Sequence, residues 1–229
     1  MKNLLILSFG LIVITNQLLA QCNPYFHLKQ GASWEMTSYN AKDKIQGKSK
    51  HEVIAFNETS NGFESTVKMT AYDKNDKESL VSELGISCSD QVMEFDMRQF
   101  MAAGSMKSFE SMNMEIKGDN LEYPSSLSVG DELKPGKMTL EMTGASAMPM
   151  TMNFTVEILN RKVEAREKIT TPAGTFDCYK ITSVVKTKTV MKVEVKSVEW
   201  VAEGKGVVKT MSYSKNGKMI GYSLLTKLD

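Results

Sequence analysis

The sequence is poor in the residues that most often build metal centres and active sites. Its 229 residues include only 2 His and 3 Cys, and the cysteines are too far apart to form a CxxC pair. Two histidines leave little material for metal ligation or acid–base catalysis. The 28 Lys and Arg nearly balance the 27 Asp and Glu, which removes any bulk attraction to nucleic acid or to an anionic membrane. We therefore expect no catalytic residues, no cofactor and no nucleic-acid partner.

Sequence motifs for common chemistries are also missing. The chain has no HExxH, P-loop, GxGxxG or nucleophile-elbow GxSxG pattern. Residues 204–206, Gly-Lys-Gly, indicate a turn rather than a phosphate-binding loop, because the third glycine and the following helix are absent. A hydrolase without a recognisable motif is kept as an alternative to a non-enzymatic protein.

Long hydrophobic runs are confined to the first residues. A lysine at position 2 precedes an apolar stretch over 4–14, and a small residue, Ala20, follows it. This stretch is shorter than the roughly 20 residues that span a bilayer, and the pattern is typical of a secretory signal peptide. We predict a signal peptide over 1–20 and a single β-rich domain over 21–229, without a transmembrane segment, in the periplasm or secreted. Lys2 is the one charged residue of 1–20, so the rest of the chain is neutral.

The three cysteines would meet an oxidising compartment after export. Three cysteines allow three single pairings, and we favour Cys22–Cys88, because the first segment of a domain gains most from being fixed. Cys178 lies in an evident strand, where a free thiol packs as a small apolar side chain. Lipidation of Cys22 is the less favoured alternative, because Gln21 stands where a lipoprotein normally has a small residue.

Alternating apolar and polar runs recur along the chain between Asn, Asp and Gly clusters, which is the pattern of antiparallel hairpins. The alternation predicts a mainly β, antiparallel meander of about 11–12 strands with little helix. So many strands exceed a comfortable flat sheet, and we expect a strongly curved or barrel-like one. The predicted strands cover 33–39, 45–56, 63–72, 78–88, 92–97, 137–142, 150–166, 176–189, 191–202, 207–213 and 218–228.

Other segments carry weaker expectations. Residues 97–106 are the one fair helix candidate, and residues 119–136 form a polar connection, interpreted as a loop that could divide the domain into two halves. Asn216-Gly217 is the strongest two-residue turn signal, since both positions tolerate positive φ. Residues 161–162 and 186–196 are interpreted as solvated strand faces. Trp34 and Trp200 are predicted to anchor the core.

Methionine is unusually abundant: the chain has 17, and ten of them lie between Met97 and Met152. Met148, Met150 and Met152 alternate as strand residues on one face do, and clustered thioethers are ligands for Cu(I). Pro149 disturbs this strand, and no His or Cys completes the set. The favoured interpretation is flexible apolar filler around an irregular surface or cavity; a Cu(I) site is the alternative.

Three stretches carry a family pattern. They are residues 22–39 around LKQGASWE, residues 161–164 leading into TTPAGTFDCYKI at 170–181, and Trp200 followed by GKGVVKT at 204–210. Together they resemble the TapB-like proteins, an exported β-rich family of Gram-negative bacteria that is related to a domain of unknown function. The resemblance spans nearly all of 21–229. It implies export and a mostly β fold, and it brings no catalytic residues with it.

These observations predict an exported, non-enzymatic binding or structural module of the bacterial envelope. The curve of the sheet could hold an apolar small molecule in a cavity partly lined by methionine; another envelope protein is the other partner considered. The alternatives are a periplasmic Cu(I) protein that uses the methionines and a hydrolase without a known motif.

Overall fold

The computed structural model describes residues 25–26, 28–96, 112–144, 151–188 and 192–229. All regular structure in these residues is β. The strands are β1 (Ser33–Asn40), β2 (Ile45–Thr59), β3 (Gly62–Asp73), β4 (Glu78–Ser89), β5 (Val92–Phe95), β6 (Met112–Asp119), β7 (Leu121–Pro124), β8 (Glu132–Leu133), β9 (Gly136–Gly144), β10 (Thr151–Thr171), β11 (Gly174–Lys188), β12 (Lys192–Ala202), β13 (Gly206–Ser214) and β14 (Met219–Leu228).

The 14 strands form one antiparallel sheet in the order β6-β9-β10-β11-β12-β13-β14-β1-β2-β3-β4-β5-β7, and β8 pairs with β10. The sheet curls until it is nearly closed into a barrel. Its two edge strands, β6 and β7, follow each other in the chain with Asn120 alone between them. One stretch of backbone therefore pairs first with β9 and then with β5, and this change of partner brings the two edges together. The predicted antiparallel, strongly curved β fold is confirmed.

The connection over 119–136 differs from the prediction of a loop. It contains β7 and β8, and three of its residues, Leu121, Tyr123 and Leu127, are buried in the main core. A four-residue strand ending at a proline shows too little alternation to be recognised by its pattern alone. The two-half organisation stays a prediction. The helix candidate at 97–106 lies outside the described residues, and none of the described residues is helical.

Three hairpins share one turn geometry. In each, the first loop residue (Asn40, Asp73 or Ser214) accepts a hydrogen bond from the backbone N–H four residues later, through Oδ1 or Oγ. The residue at the fourth position, Asp43, Asp76 or Gly217, has a φ of 58°, 60° or 80°. These loops need one left-handed residue each, which Asp and Gly tolerate. The predicted turn at Asn216-Gly217 is present, but only its glycine has positive φ.

The buried side chains form a main cluster and a smaller second one. Trp200 belongs to the second cluster, and its indole Nε1 donates a hydrogen bond to Glu167, so the prediction of Trp200 as a core anchor is confirmed. Cys178 lies in the same cluster as a buried free cysteine, and burial raises the pKa of its thiol to about 11. The apolar surroundings thus make Cys178 an inert packing residue. In the described part of the chain, no helix has the length and apolar character needed to cross a bilayer.

Candidate binding cavity

The inner face of the curled sheet borders a half-open cavity of about 330 Å³. Alternate residues of the strands line it, as the period of two in a β-strand requires. On β1 these are Trp34, Met36 and Ser38, and on β3 they are Val67 and Met69. The volume lies at the lower end of the range for small-molecule sites, roughly 300–1,000 Å³. The strongly curved sheet predicted from the sequence therefore surrounds open space rather than a fully packed core.

One side of the cavity is apolar and tightly packed. We call this set the apolar wall; it consists of Val67, Leu84, Ile86, Phe95 and Leu121. All five side chains are buried and, apart from Leu84, belong to the main core cluster. They come from β3, β4, β5 and β7, so the strand that was expected to be a loop completes this wall.

An aromatic side chain from the segment before β1 closes one end of the cavity. The ring centroid of Phe26 lies 4.7 Å from that of Phe95 and 5.9 Å from that of Tyr123. The backbone N–H of Gly206 donates to the Tyr25 carbonyl at 2.6 Å, and Gly206 has a φ of 78°. A Cβ at position 206 would lie 2.9 Å from the Phe26 ring. Glycine is thus required here by both its conformation and the close approach of Phe26.

Trp34 and His51 form a stacked pair in the cavity wall. Their ring centroids lie 4.8 Å apart with the planes 2° from parallel, and Nδ1 of His51 is buried with no hydrogen-bond partner among the described residues. Burial lowers the pKa of His51 from 6.5 to about 4, so the imidazole is neutral at physiological pH. The pair also borders a second, more polar depression of about 350 Å³. Trp34 is half-buried and packs against both core clusters, in agreement with the predicted core anchor, and it also lines open space.

A polar cluster, made of buried Tyr123 and Arg161 and half-buried Glu199, adjoins the cavity. The Tyr123 hydroxyl donates to Glu199 Oε1 at 2.7 Å, and both residues line the cavity. The Arg161 guanidinium lies over the Tyr123 ring, 4.5 Å from its centroid, and its Nη1 donates to the backbone carbonyls of Glu122 and Lys134. Desolvation raises the pKa of Glu199, while the positive charge of Arg161 and the hydrogen bond from Tyr123 act in the opposite direction.

The placement of Arg161 corrects the prediction that residues 161–162 form a solvated strand face. Lys162 is exposed, but Arg161 is only 2% exposed and its Nη2 has no hydrogen-bond partner among the described residues. A bulge between Leu159 and Lys162, where Asn160 has a φ of 51°, changes which face of the sheet the following residues occupy. Asn160 is a residue type that tolerates this conformation, and it was the signal in the sequence that could have revealed the bulge.

The sites predicted from the sequence fall mostly outside the described residues. Cys22, Met148 and Met150 lie there, and Met152 lies in β10 with its backbone alone described. The Cu(I) site and the Cys22–Cys88 disulfide therefore stay predictions, and Cys88 is buried near the end of β4. Within the described residues, no group of three His, Cys, Asp or Glu side chains could hold a metal ion. The residues that do meet at one site are those of the cavity, and Met36 and Met69 are its methionines.

Two solved structures are similar to this chain in fold. One is a Bacteroides fragilis protein, described as a candidate exported protein with a YmcC-like fold, with a TM-score of 0.72 and 22% identity. The other is a candidate lipoprotein of Parabacteroides distasonis, with a TM-score of 0.76 and 20% identity. Each alignment covers 91% of this chain and 100% of the other. At these identities the similarity shows the fold alone.

No curated protein matches the chain, whereas one family model matches residues 29–225. The expected relation to a domain of unknown function is confirmed by this match, but the TapB-like name is not supported by it. The matched residues extend from the turn before β1 through β13 and include β14 as far as Leu225. The chain belongs to the DUF3108-like family.

Proposed function

We propose that this chain is an exported, non-enzymatic module of the bacterial envelope that binds an apolar small molecule inside the curled sheet. The observation that carries the proposal is the cavity of about 330 Å³ with its apolar wall. Open space lined by buried apolar side chains is unfavourable when empty, because the lining atoms lose dispersion contacts. A ligand that fills the space would restore those contacts.

The side chains around the cavity fit an adaptable apolar partner. Met36 and Met69 are half-buried in its lining, and flexible thioethers adjust to ligands of different shape. Trp34 adds a large apolar surface held in place by its stacking on His51. These residues supply contact area on the side of the cavity that is less tightly packed than the apolar wall.

Two observations support export. The signal-like pattern of residues 1–20 precedes the domain, and two proteins of the same fold are described as a candidate exported protein and a candidate lipoprotein. A non-enzymatic role is supported by the state of His51. Its ring is stacked on Trp34, its Nδ1 has no hydrogen-bond partner among the described residues, and its pKa is low. A histidine that acts as a general base normally has an orienting partner.

The test is ligand retention by the protein purified from a Gram-negative periplasm, measured by native mass spectrometry and by binding of the fluorescent probe N-phenyl-1-naphthylamine. We expect the wild-type protein to bind the probe or to carry an adduct. Met69→Trp should abolish both, because the indole would occupy the cavity. Lys68→Trp is the matched control, since Lys68 is the exposed neighbour on the opposite face of β3 and does not line the cavity.

Near-UV circular dichroism and the melting temperature establish that both variants are folded. The proposal is overturned if the wild-type protein neither carries an adduct nor binds the probe. It is equally overturned if a folded Met69→Trp variant binds as well as the wild-type protein does.

A further inference from the structure

A continuous row of polar side chains crosses the side of the cavity formed by β12, β13, β14 and β1. We call this set the polar row: Glu199, Thr210, Ser223 and Ser38. Glu199 pairs with Thr210, Thr210 with Ser223, and Ser223 with Ser38, so each residue is the direct cross-strand neighbour of the next. Neighbouring strands lie about 4.8 Å apart, which makes the row about 14 Å long.

Inward-facing positions of a closed sheet are normally apolar, so four polar residues in register need a reason. Part of their hydrogen-bonding capacity is used within the protein. The Ser38 and Ser223 hydroxyl oxygens lie 2.8 Å apart, and Glu199 accepts from Tyr123 through Oε1. Glu199 Oε2 and the Thr210 hydroxyl have no hydrogen-bond partner among the described residues, so both are available to a ligand that lies along the row.

The polar row and the apolar wall together make the cavity amphipathic. A purely apolar ligand would leave the carboxylate and hydroxyl groups of the row without water and without partners, which costs free energy for each buried polar group. A ligand that carries hydroxyl groups on one side and a hydrocarbon body on the other would satisfy both surfaces.

The charged residues around the cavity indicate which kind of polar group the ligand carries. Arg161 lies over the Tyr123 ring and half-buried Glu199 accepts from the Tyr123 hydroxyl, so two opposite charges flank one side chain and partly offset each other. Arg161 does not line the cavity; the one lysine or arginine among the described lining residues is Lys205, which is exposed in the turn between β12 and β13. Because Lys205 is exposed to water, an ion pair with it would contribute little. A ligand charge of either sign that lies along the polar row would have no desolvated partner, which is more costly than burying an uncharged hydroxyl.

We propose that the ligand is an uncharged, hydroxyl-bearing single-chain amphiphile, whose hydroxyl groups lie along the polar row and whose hydrocarbon chain lies against the apolar wall. This inference rests on the proposed function, because it needs the cavity to bind a ligand at all. It names the ligand class and the residues that select it.

The test is displacement of N-phenyl-1-naphthylamine from the full-length mature protein by three amphiphiles of equal chain length, below their micellar concentrations. These are 1-monolauroylglycerol, dodecanoate and dodecylamine. We expect the uncharged glyceride to displace the probe at a concentration about tenfold lower than either charged compound, since one unpaired buried charge outweighs a hydrogen bond.

Two variants assign this preference to the polar row. Thr210→Val preserves shape and removes one hydroxyl, and should weaken glyceride binding about 3–10-fold while probe binding is unchanged. Thr70→Val is its control, because Thr70 borders the second depression and does not line the cavity. Glu199→Gln leaves Arg161 without its opposite charge, so binding of dodecanoate should strengthen about tenfold.

Equal displacement by the three amphiphiles would overturn the inference, and so would a Thr210→Val variant that binds the glyceride as the wild-type protein does. Either result would leave the proposed function intact as long as the probe binds the wild-type cavity and not Met69→Trp. Failure of the probe to bind the wild-type protein would instead remove the proposed function itself.

Discussion

The apolar wall and the polar row line the same cavity, but their side chains differ in how tightly they are packed. On β3 and β4, Val67 and Leu84 are buried, with at most 6% of their surface exposed. On β13 and β1, Thr210 and Ser38 remain half-buried although they also face inward. The side chains of the apolar wall have packed neighbours behind and beside them, whereas those of the polar row have more of their surface exposed.

This difference indicates that the two surfaces have different roles, one in stability and the other in binding. Tightly packed apolar side chains supply most of the free energy of folding, because removing a well-packed group leaves a void. Polar groups that border a cavity contribute little to folding, since water or a ligand can satisfy them. Substitutions in the apolar wall and its supports should therefore change stability, whereas substitutions in the polar row should change binding.

The largest effect is expected where the polar row depends on a buried charge. Arg161→Met removes the opposite charge of Glu199 and the hydrogen bonds to the carbonyls of Glu122 and Lys134. Loss of two hydrogen bonds from a charged donor to backbone carbonyls costs about 3–5 kcal/mol, measured as the free energy of urea unfolding. Lys162→Met, on the exposed adjacent residue, should stay within about 0.5 kcal/mol of wild type. Adding Glu199→Gln to Arg161→Met should recover part of the loss, and equal effects of the two methionine variants would contradict this account.

The predicted Cys22–Cys88 disulfide would fix the first segment of the domain to the end of β4, close to the apolar wall. Non-reducing thiol labelling of the unfolded, exported protein should modify Cys178 and leave Cys22 and Cys88 unmodified. Cys88→Ser should destabilise the protein by about 2–4 kcal/mol, mainly through the unfolded chain. Labelling of Cys88 in the wild-type protein would exclude the bond. A diacylglyceryl mass on Cys22 would do the same, because a lipidated thioether cannot form a disulfide.

A single truncation in the apolar wall tests its packing directly. Leu84→Ala should lower the free energy of unfolding by about 2–3 kcal/mol, since the lost side chain enlarges a space that already exists. Thermal and urea unfolding give the value, and Val81→Ala on the exposed face of the same strand is the control. A loss below that of the control would show that this wall is not a packed surface.

The stacked His51 makes stability depend on pH. Its pKa is 6.5 when unfolded and about 4 when folded, so the folded state resists protonation. Its contribution to stability is present above pH 6.5 and lost as the pH falls towards 4. Between about pH 7.5 and pH 5 the loss is about 2 kcal/mol.

His51→Phe retains the stack on Trp34 and removes the titration, so this part of the pH dependence should disappear in urea unfolding curves. Glu199, whose pKa is raised, acts in the opposite sense in both proteins, and the difference between them isolates His51. Identical pH profiles would contradict the assignment.

The smallest effect on stability is expected in the polar row. Ser38→Ala removes the hydrogen bond to Ser223 and should cost less than about 1 kcal/mol, because the partner hydroxyl still borders open space. The melting temperature measures this change, and Ser49→Ala, at another serine of the cavity lining, is the comparison. A loss as large as that of Leu84→Ala would mean that the row supports the fold, and the contrast between the two surfaces would fail.

The alternation of apolar and polar residues was sufficient to predict the long hairpins, but it was not sufficient to predict how the sheet closes. Strands β1–β4 and β9–β14 alternate between turn-forming clusters, and the order of pairing follows from those short turns. Strand β7 has four residues and depends on a change of partner at Asn120. That change is a long-range property of the closed sheet, so Tyr123 was missed.

The polar row could not be predicted from alternation for a related reason. Bulges interrupt the register between Glu35 and Met36, between Ser212 and Tyr213, and between Trp200 and Val201. At each shift the partner strand has one extra residue (Thr226, Ile220 and Val208, in that order), so the alternation changes face along β14 and β13 while β1 and β12 keep theirs. The sequence indicated an apolar cavity with methionine, yet the methionines that line it, Met36 and Met69, lie outside the Met-rich segment.

The pairing of β1 with β14 also determines when the cavity can exist. Trp34 pairs with Leu228, and Ser33 and Asp229 exchange backbone hydrogen bonds, so the earliest of the described strands has the latest one as its partner. Neighbouring hairpins form early because their loops are short, whereas this contact waits for almost the whole chain. Ser38 and Ser223 therefore come together after the intervening hairpins have formed, and the cavity that they line is complete only once β14 has joined β1.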